Sequence, residues 1–508
     1  MFFDKINKYP KSLRNSIIEG MFNSIMVGGA LTFVVPFAIF LGANSLEVGV
    51  LTAVPALFAA WIQLGSIKLL SFYKKRKSAI IMMVALQALS WLLIALIPFI
   101  FPTGQVFWLI LITTAGTIVG AICSPLWQSW MRSITPSEIM GEYFGARNAL
   151  AGAVVFGVMM IAGLWLQLFD NSFLLYAFCG IFALSFIGRA LSAFFFTKMD
   201  EPEVVLPKEK ISFLHFVKQM GQDNFGHVVL LGMLINFSLA TIGPFLSIYL
   251  LKTLGLSNDY ILYTLIIAAS TLSSILAMPY WGRIVDKFGY IKLIRATTLL
   301  MILHPLALIF IRDPMWLVPL ELLNGVILSG FTMGLANFIY EAFPDEKIIK
   351  YASYQSALFG TATFLGTMFA GALLIFTINL PILTDTFYVV CLIAVAYRII
   401  VHVVMRNKIK EIHLAERIRT ERVAISMLTM APITQPLLSH VVPLLSTAEN
   451  ATVNGVKRVE GATIRGLTKA ERAAIYEMKR VEELAEKEIS AIKKRAKERR
   501  AAKAKKKA

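Results

Sequence analysis

Charged residues are scarce in this chain of 508 residues. They make up 16% of it, whereas soluble domains carry about a quarter, and 57% of the residues are hydrophobic with a mean hydropathy of +0.69. This composition excludes a soluble globular protein. Apolar runs longer than the roughly 20 residues that cross a bilayer recur between Ile17 and Met405. The sequence therefore predicts an all-α polytopic membrane protein.

Cysteine is also rare. Its three copies, Cys123, Cys179 and Cys391, lie far apart inside apolar runs, and none has the spacing of a disulfide framework or a metal site. We therefore expect no bound metal and no cofactor. The sequence has no G-x-x-x-x-G-K-[ST] loop for ATP and no nucleophile with a base at usable spacing, so we expect neither an ATP-driven protein nor an enzyme.

Basic residues cluster beside alternate connections of twelve predicted spans. Lys74 flanks the second-to-third connection, Arg147 the fourth-to-fifth and Arg283 the eighth-to-ninth, with Lys252 and Arg312 as exceptions elsewhere. Because Lys and Arg resist translocation, this pattern predicts that both termini are cytoplasmic and that the protein is a multi-pass protein of the plasma membrane. The predicted spans are 17–41, 46–70, 78–101, 106–131, 146–169, 173–197, 226–253, 259–283, 291–312, 315–340, 351–379 and 383–406.

The chain also repeats itself at a constant offset of 208 residues, as from position 136 to position 344. Some matches lie in a polar loop, where chance apolar similarity does not explain them. We infer two pseudo-symmetric six-helix halves, 1–197 and 226–406, joined by a cytoplasmic linker, 198–225, and followed by a tail, 407–508. Parallel repeats of this kind place a site between halves that rock against each other. The matching pairs include Pro136 and Pro344, Glu138 and Glu346, Tyr143 and Tyr351, and Gly152 and Gly360.

The loop after the eighth span carries Gly282, Asp286, Lys287 and Gly289 in the string WGRIVDKFGYIK. This pattern and its position resemble the loop signature of the major facilitator superfamily. The equivalent first-half loop lacks the aspartate and the second glycine. The resemblance, which spans roughly residues 12 to 406, implies secondary transport of a small solute by alternating access, with spans 1, 4, 7 and 10 lining a cavity. It leaves the substrate, the direction and proton coupling open, and we expect a monomer.

Asp286 has two interpretations. Its carboxylate can lie against the positive end of a neighbouring helix and latch the two halves together near Arg147, at the start of the fifth span. Alternatively, the loop only caps helices and supplies positive charge on the cytoplasmic side. The glycines favour the latch, because they permit a tight turn that charge alone does not require.

Few ionisable groups lie inside the spans, and each is a candidate functional residue because burying a charge in lipid is costly. Glu321 in the tenth span, with Asn324 beside it, is a candidate for binding a cation or proton, and Asn236 is a candidate for lining the cavity. Glu19 and Asn23 share one face of the first span and are candidates for gating or binding. The alternatives are a rim carboxylate for Glu321 and simple lysine pairing or helix capping for Glu19.

Arg189 and Arg398 almost coincide under the repeat. We expect both side chains to extend to the cytoplasmic interface, although two inward-facing arginines would suit an anionic substrate. His304 is expected to form a helix–helix hydrogen bond rather than a proton relay. Trp127 and Trp130 are expected to anchor the fourth span at the interface.

The tail from residue 407 holds 23 basic and 12 acidic residues, and its last part, 493–508, holds ten bases and one acid. Such a segment can contact anionic lipid or, through phosphate charge, nucleic acid or a ribosome, or it can simply be solvated. The alternative function is therefore a transport-inactive membrane anchor or sensor whose tail recruits such a partner.

Overall fold

The computed structural model describes residues 9–65, 76–136, 139–170, 172–202, 213–342, 345–376, 385–410 and 427. Within these ranges the protein is helical and has no β-strand. The chain divides into a unit of residues 1–434, to which all described residues belong, and a unit of residues 435–508. The basic end of the tail lies outside the described residues, so its helix and its partners stay predictions.

Twelve helices are long and apolar enough to cross a membrane, which confirms the predicted number of spans within the described residues. The eleventh helix ends at Leu373, before the predicted end at 379. We name them α1 (Lys11–Phe40), α2 (Ser45–Gly65), α3 (Arg76–Ile100), α4 (Gln105–Ile134), α5 (Met140–Gln167), α6 (Leu174–Thr197), α7 (Asn224–Thr253), α8 (Tyr260–Phe288), α9 (Tyr290–Phe310), α10 (Leu317–Ala342), α11 (Asp345–Leu373) and α12 (Thr386–Met405).

The helix contacts of the first half recur in the second. In the first half α1 packs on α5 and α6, α3 on α4 and α6, and α2 on α4. The corresponding pairs α7 with α11 and α12, α9 with α10 and α12, and α8 with α10 are also in contact. The two halves meet mainly along α2 with α11 and α5 with α8. The architecture is therefore two pseudo-symmetric six-helix halves.

Proline frees backbone carbonyl groups that other helices then occupy. A proline lacks the N–H that would bond the carbonyl four residues earlier. In α9 the carbonyl of Met301, four residues before Pro305, accepts a bond from the Arg398 guanidinium of α12. In α7 the carbonyl of Ala240, four residues before Pro244, accepts a bond from Thr367 of α11 at 3.3 Å. These bonds hold α11 and α12 against the interrupted helices.

Glycine lets the two halves approach closely. A Cβ added at Gly163 of α5 would lie 2.3 Å from the Thr264 hydroxyl of α8, and one added at Gly360 of α11 would lie 2.2 Å from Ala60 of α2. Gly145, near the start of α5, has no such neighbour within 4 Å. Gly289 has a positive φ of 85° and joins α8 to α9, so the tight turn expected in the signature loop occurs there.

We call the end of the bundle at which α1 begins the inner end and the opposite end the outer end. At the outer end, one hydrophobic core is shared by both halves. It includes Phe37 and Phe178 of the first half and Phe245 and Tyr260 of the second. Phe178 and Tyr260 pack edge to face, with ring centroids 6.0 Å apart. The halves are thus joined at the outer end by apolar packing.

At the inner end each half has a separate hydrophobic core among the described residues. The first is built around Leu13 and Trp130, and the second around Trp281 and Phe338. Contact between the halves persists there along α2, where the Trp61 indole donates to the Thr361 hydroxyl of α11 at 2.9 Å. Packing between the halves is therefore one-sided: among the described residues the halves share a hydrophobic core at the outer end and not at the inner end.

Trp130 does not anchor the protein at the lipid interface, so that prediction is wrong. Its side chain is fully buried and donates to the backbone carbonyl of Asp200 at 2.8 Å. The Asp200 carboxylate accepts a bond from Ser12 of α1 at 2.6 Å, and the Lys77 amine of α3 donates to the carbonyl of Met199. These bonds fix the first residues of the linker to the inner end of the first half.

Candidate functional site

Glu19 is the centre of a buried charge cluster in the first half. Its side chain is held by α5 and α6: Arg147 Nη2 donates to Oε2 at 3.0 Å, and the Ser192 hydroxyl donates to Oε1 at 2.9 Å. Arg189 Nη1 lies 3.8 Å from Oε1. Since Glu19 is only 2% exposed, the two guanidinium groups compensate a charge that has little contact with solvent. Among the described residues Glu19 therefore pairs with arginines, and not with a lysine or a helix end, which were the alternatives.

Arg189 does not extend to the interface, and the expectation that it would is wrong. Its Nε donates to Gln87 Oε1 of α3 at 2.8 Å, and its Nη1 donates to Asn23 Oδ1 of α1 at 2.6 Å and to the Ser192 hydroxyl at 3.1 Å. These neutral acceptors and Glu19 offset the cost of burying the guanidinium. Glu19 and Asn23, which the sequence placed on one helix face, therefore both meet Arg189.

Arg147 lies against α1 and α4. Its Nε donates to the Ser16 carbonyl at 3.2 Å, and its guanidinium carbon lies 4.5 Å from the centre of the Trp127 ring. A Cβ at Gly20 would lie 2.9 Å from Nη2, so the glycine makes room for this side chain. Trp127 is thus a partner of Arg147, and its place at the membrane interface stays a prediction.

The predicted latch between Arg147 and Asp286 is only half described. The backbone of Gly282, Asp286 and Lys287 belongs to α8, but the side chains of Asp286 and Lys287 lie outside the described part of the protein. Arg147 uses Nη2 for Glu19 and Nε for Ser16. The latch therefore stays a prediction, and it would have to share Arg147 with Glu19.

A cavity of about 230 Å³ adjoins this cluster, between α1, α3, α4, α5 and α6. Two guanidinium groups and one carboxylate line it, and the other lining side chains are uncharged. The lining residues are Glu19, Asn23, Val84, Gly120, Cys123, Ser124, Trp127, Arg147, Arg189 and Phe196. The formal charge of the described lining is therefore positive by one unit.

A second buried cluster lies in the second half, between α9 and α10. Glu321, which is 4% exposed, has its Oε1 2.7 Å from His304 Nε2, and its Oε2 accepts a bond from Asn324 at 3.0 Å. The helix–helix hydrogen bond expected of His304 is confirmed. Glu321 is not a carboxylate at a water-facing rim, because its side chain is enclosed against α9.

Arg398 and Asn236 do not join either cluster. Arg398 Nε donates to the Ser238 hydroxyl of α7 at 2.8 Å, its Nη1 donates to the Met301 carbonyl, and its side chain is 1% exposed. The expectation that Arg398 extends to the interface is therefore wrong. The Asn236 amide donates to the Gly232 carbonyl of its own helix at 2.8 Å. Its place in a cavity wall stays a prediction.

Sequence reasoning missed Gln87 and Ser192, which connect α3 and α6 to the first cluster. Gln87 is an amide in an otherwise apolar stretch of α3, and an amide in a span commonly forms a hydrogen bond between helices. That signal was available. Ser192 carries no comparable signal, since serine is frequent in spans for packing alone.

A family model described as the Major Facilitator Superfamily matches residues 228–452. Over 281 residues the chain is 27% identical to the "Multi-drug resistance efflux pump PmrA homolog" of Lactococcus lactis, which covers 53% of this chain and 66% of that protein. Over 116 residues it is 31% identical to the "Multi-drug resistance efflux pump PmrA" of Streptococcus pneumoniae, which covers 22% of this chain and 29% of that protein. The chain thus spans less than two thirds of the length of either curated relative.

Solved structures show the same fold. The nucleoside transporter NupG superposes with a TM-score of 0.58 at 13% identity and covers 79% of this chain and 99% of its own. A D-xylose–proton symporter superposes with a TM-score of 0.60 at 15% identity and covers 79% of this chain and 97% of its own. At these identities the likeness extends to the fold alone.

Proposed function

Because this chain belongs to the major facilitator superfamily, we propose that it exports a small solute by alternating access, in which the two six-helix halves rock about the membrane centre. The direction of transport follows the names of the two curated relatives, both of which are efflux pumps. The proposal places both termini in the cytoplasm, as the distribution of basic residues predicts.

The one-sided packing of the halves is the observation that carries this proposal. Apolar residues of both halves form one core at the outer end, whereas each half has its own core at the inner end. A rocking transporter needs such packing at one end at a time, because a solute must enter from one side while the other is closed. The shared core supports a state that is closed at the outer end.

Polar contacts between the halves at the outer end must break for the opposite state to form. The Lys252 amine of α7 donates to the Ala43 carbonyl after α1 at 3.1 Å. The Gln167 side chain of α5 donates to the Asn258 carbonyl at 3.1 Å and accepts from the Tyr260 backbone N–H at 2.8 Å. This contact gives a structural role to Lys252, which is one of the two bases beside connections where bases are otherwise rare.

We place proton coupling at the pair formed by Glu321 and His304, with Asn324 as the second partner of the carboxylate. A buried carboxylate and imidazole 2.7 Å apart can share or release a proton when the packing of α9 against α10 changes. A proton moved in this way would drive solute movement in the opposite direction. Asn236 of α7 is retained as a residue of the solute pathway.

Spin-label distances test alternating access. The three cysteines are replaced, and labels are placed on exposed positions at the outer end, Phe173 with Met315, and at the inner end, Thr197 with Lys408. We expect the outer distance to lengthen when the inner distance shortens as the pH is lowered. Distances that change together at both ends, or at neither end, would contradict alternating access.

Flux in liposomes tests coupling and direction. Purified protein is reconstituted, a pH gradient is imposed, and a labelled pool of organic anions, organic cations, sugars and amino acids is followed. We expect Glu321→Gln to abolish the dependence of flux on the gradient. Glu47→Gln is the matched control, because Glu47 belongs to the capping box of α2 and glutamine preserves that role. Equal flux in wild type and Glu321→Gln would remove Glu321 from the coupling path.

A further inference from the structure

The cavity of the first half has hydrogen-bond donors without acceptors. Arg147 uses Nε and Nη2, and Arg189 uses Nε and Nη1, so Arg147 Nη1 and Arg189 Nη2 have no hydrogen-bond acceptor among the described residues. The Trp127 indole Nε1 is buried and also lacks an acceptor in the described part of the chain. A buried donor such as Trp127 Nε1 is nearly always paired in native proteins, and the two guanidinium groups belong to the same cavity lining, so a ligand in this cavity can supply the acceptors.

The chemistry of these groups specifies a ligand that accepts hydrogen bonds. Guanidinium and indole groups are donors only, so they pair with acceptor atoms and not with a ligand group that can only donate, such as an ammonium. The excess of one positive charge in the described lining favours an anion with a single charge. A carboxylate has two oxygens in the geometry that guanidinium groups recognise.

We propose that this cavity binds the carboxylate of a small organic anion, held by Arg147 and Arg189, with the Trp127 ring against the apolar part of the ligand. This inference rests on the proposed function in taking the anion as the transported solute. The volume of about 230 Å³ is below the roughly 300–1,000 Å³ of common small-molecule sites, so the ligand is small or inserts only its charged end.

Glu19 acts as an internal competitor for this anion. Its carboxylate already occupies Arg147 Nη2 and lies 3.8 Å from Arg189 Nη1, so a bound carboxylate brings a like charge close to it. The charged and titratable groups around Glu19 come from three helices: Cys123 of α4, Tyr143 and Arg147 of α5, and Arg189 of α6. Neutralising Glu19 removes the repulsion and leaves both guanidinium groups for the ligand.

Equilibrium dialysis of the full-length protein with radiolabelled naphthoate and benzoate, and with the uncharged naphthamide, tests the site. We expect wild type to bind a carboxylate and not the amide. Arg147→Gln is expected to weaken binding about tenfold or more, since it removes a charge-assisted hydrogen bond. Glu19→Gln is expected to strengthen binding several-fold, and misfolding does not produce a gain of that kind. Arg312→Gln, which changes an arginine beside Tyr388 in the other half, is the control and should bind as wild type does.

Two results would overturn the site: no binding of either carboxylate to wild type and Glu19→Gln, or equal binding to wild type and Arg147→Gln. Because dialysis measures binding without transport, its outcome is separate from that of the proposed function. A protein that binds carboxylates through Arg147 but moves no solute keeps the site and loses the transport proposal. A protein that alternates and transports but ignores these carboxylates loses only the site.

Discussion

Arg189 and Arg398 occupy equivalent places in the two halves. Each leaves the last helix of its half and donates to the first and third helices: Arg189 to Asn23 and Gln87, and Arg398 to Ser238 and the Met301 carbonyl. Only Arg189 has a carboxylate and a cavity beside it within the described residues. These two nearly coincident arginines therefore belong to a polar site in one half and to helix packing in the other.

Arg398 is expected to matter for stability through its geometry and not only its charge. Arg398→Lys keeps the charge but cannot reach the Ser238 hydroxyl and the Met301 carbonyl together, because an ammonium group on one stem lacks the planar fork. Leaving these buried groups unpaired should lower the free energy of unfolding by roughly 1–3 kcal/mol. The measurement is the midpoint of thermal unfolding in detergent.

The control for this substitution lies on the same stretch of chain. Arg406 is exposed at the end of α12, and Arg406→Lys should leave the midpoint nearly unchanged. If both lysine variants unfold at the wild-type temperature, the bonds made by Arg398 contribute nothing to stability.

The twelve spans were predictable because their signals are local. Apolar runs and the asymmetry of basic residues are read within one stretch of chain. The repeat at offset 208 then predicts that the spans divide into two similar halves. The partners of a buried side chain, in contrast, lie far away in the sequence and carry no local signal. Arg147 and Glu19 are 128 positions apart, and a sequence does not specify how two helices are rotated against each other.

The burial of Arg189 and Arg398 depends on groups that are distant in the sequence. Snorkelling requires only a helix and a long side chain, so it was the simple expectation for Arg189 and Arg398. Burial instead depends on acceptors contributed by Gln87 on another helix, and by a carbonyl that Pro305 frees. Such acceptors become visible only when the helices are placed side by side.

Gln167 is expected to hold the outer end closed. Gln167→Leu removes the bonds to the Asn258 carbonyl and the Tyr260 N–H, which together contribute roughly 1–3 kcal/mol, so the outer-open population should rise about five- to 150-fold. The spin-label pair at Phe173 and Met315 reports this as growth of the longer distance.

A matched variant separates this effect from a general loss of a glutamine at the outer end. Gln105 also lies at the outer end, but its amide donates within its own half, to the Phe101 carbonyl. Gln105→Leu should therefore leave the distance distribution unchanged. The role of Gln167 would be refuted by an equal response in the two variants.

The pair of Glu321 and His304 is expected to behave as a coupled unit. Glu321→Leu and His304→Phe should each destabilise the protein, because each leaves the other group buried without its partner. The double variant should lose less unfolding free energy than the two single variants lose together. The difference, which is the coupling free energy, should be at least about 1 kcal/mol. Thermal unfolding of the four proteins gives this value, and additive losses would show that the contact of 2.7 Å has no energetic meaning.

Gly20 is expected to control anion binding without touching the anion. In Gly20→Ala the new Cβ would lie 2.9 Å from Arg147 Nη2, so the guanidinium must shift from its present position. Naphthoate binding should then weaken, but less than in Arg147→Gln, because the guanidinium is displaced and not removed; the protein stays folded because alanine favours a helix by up to about 1 kcal/mol. Gly243→Ala adds the same methyl group to α7, where no atom lies within 4 Å, and should bind as wild type. Unaltered binding in Gly20→Ala would mean that the position of Arg147 does not govern the site.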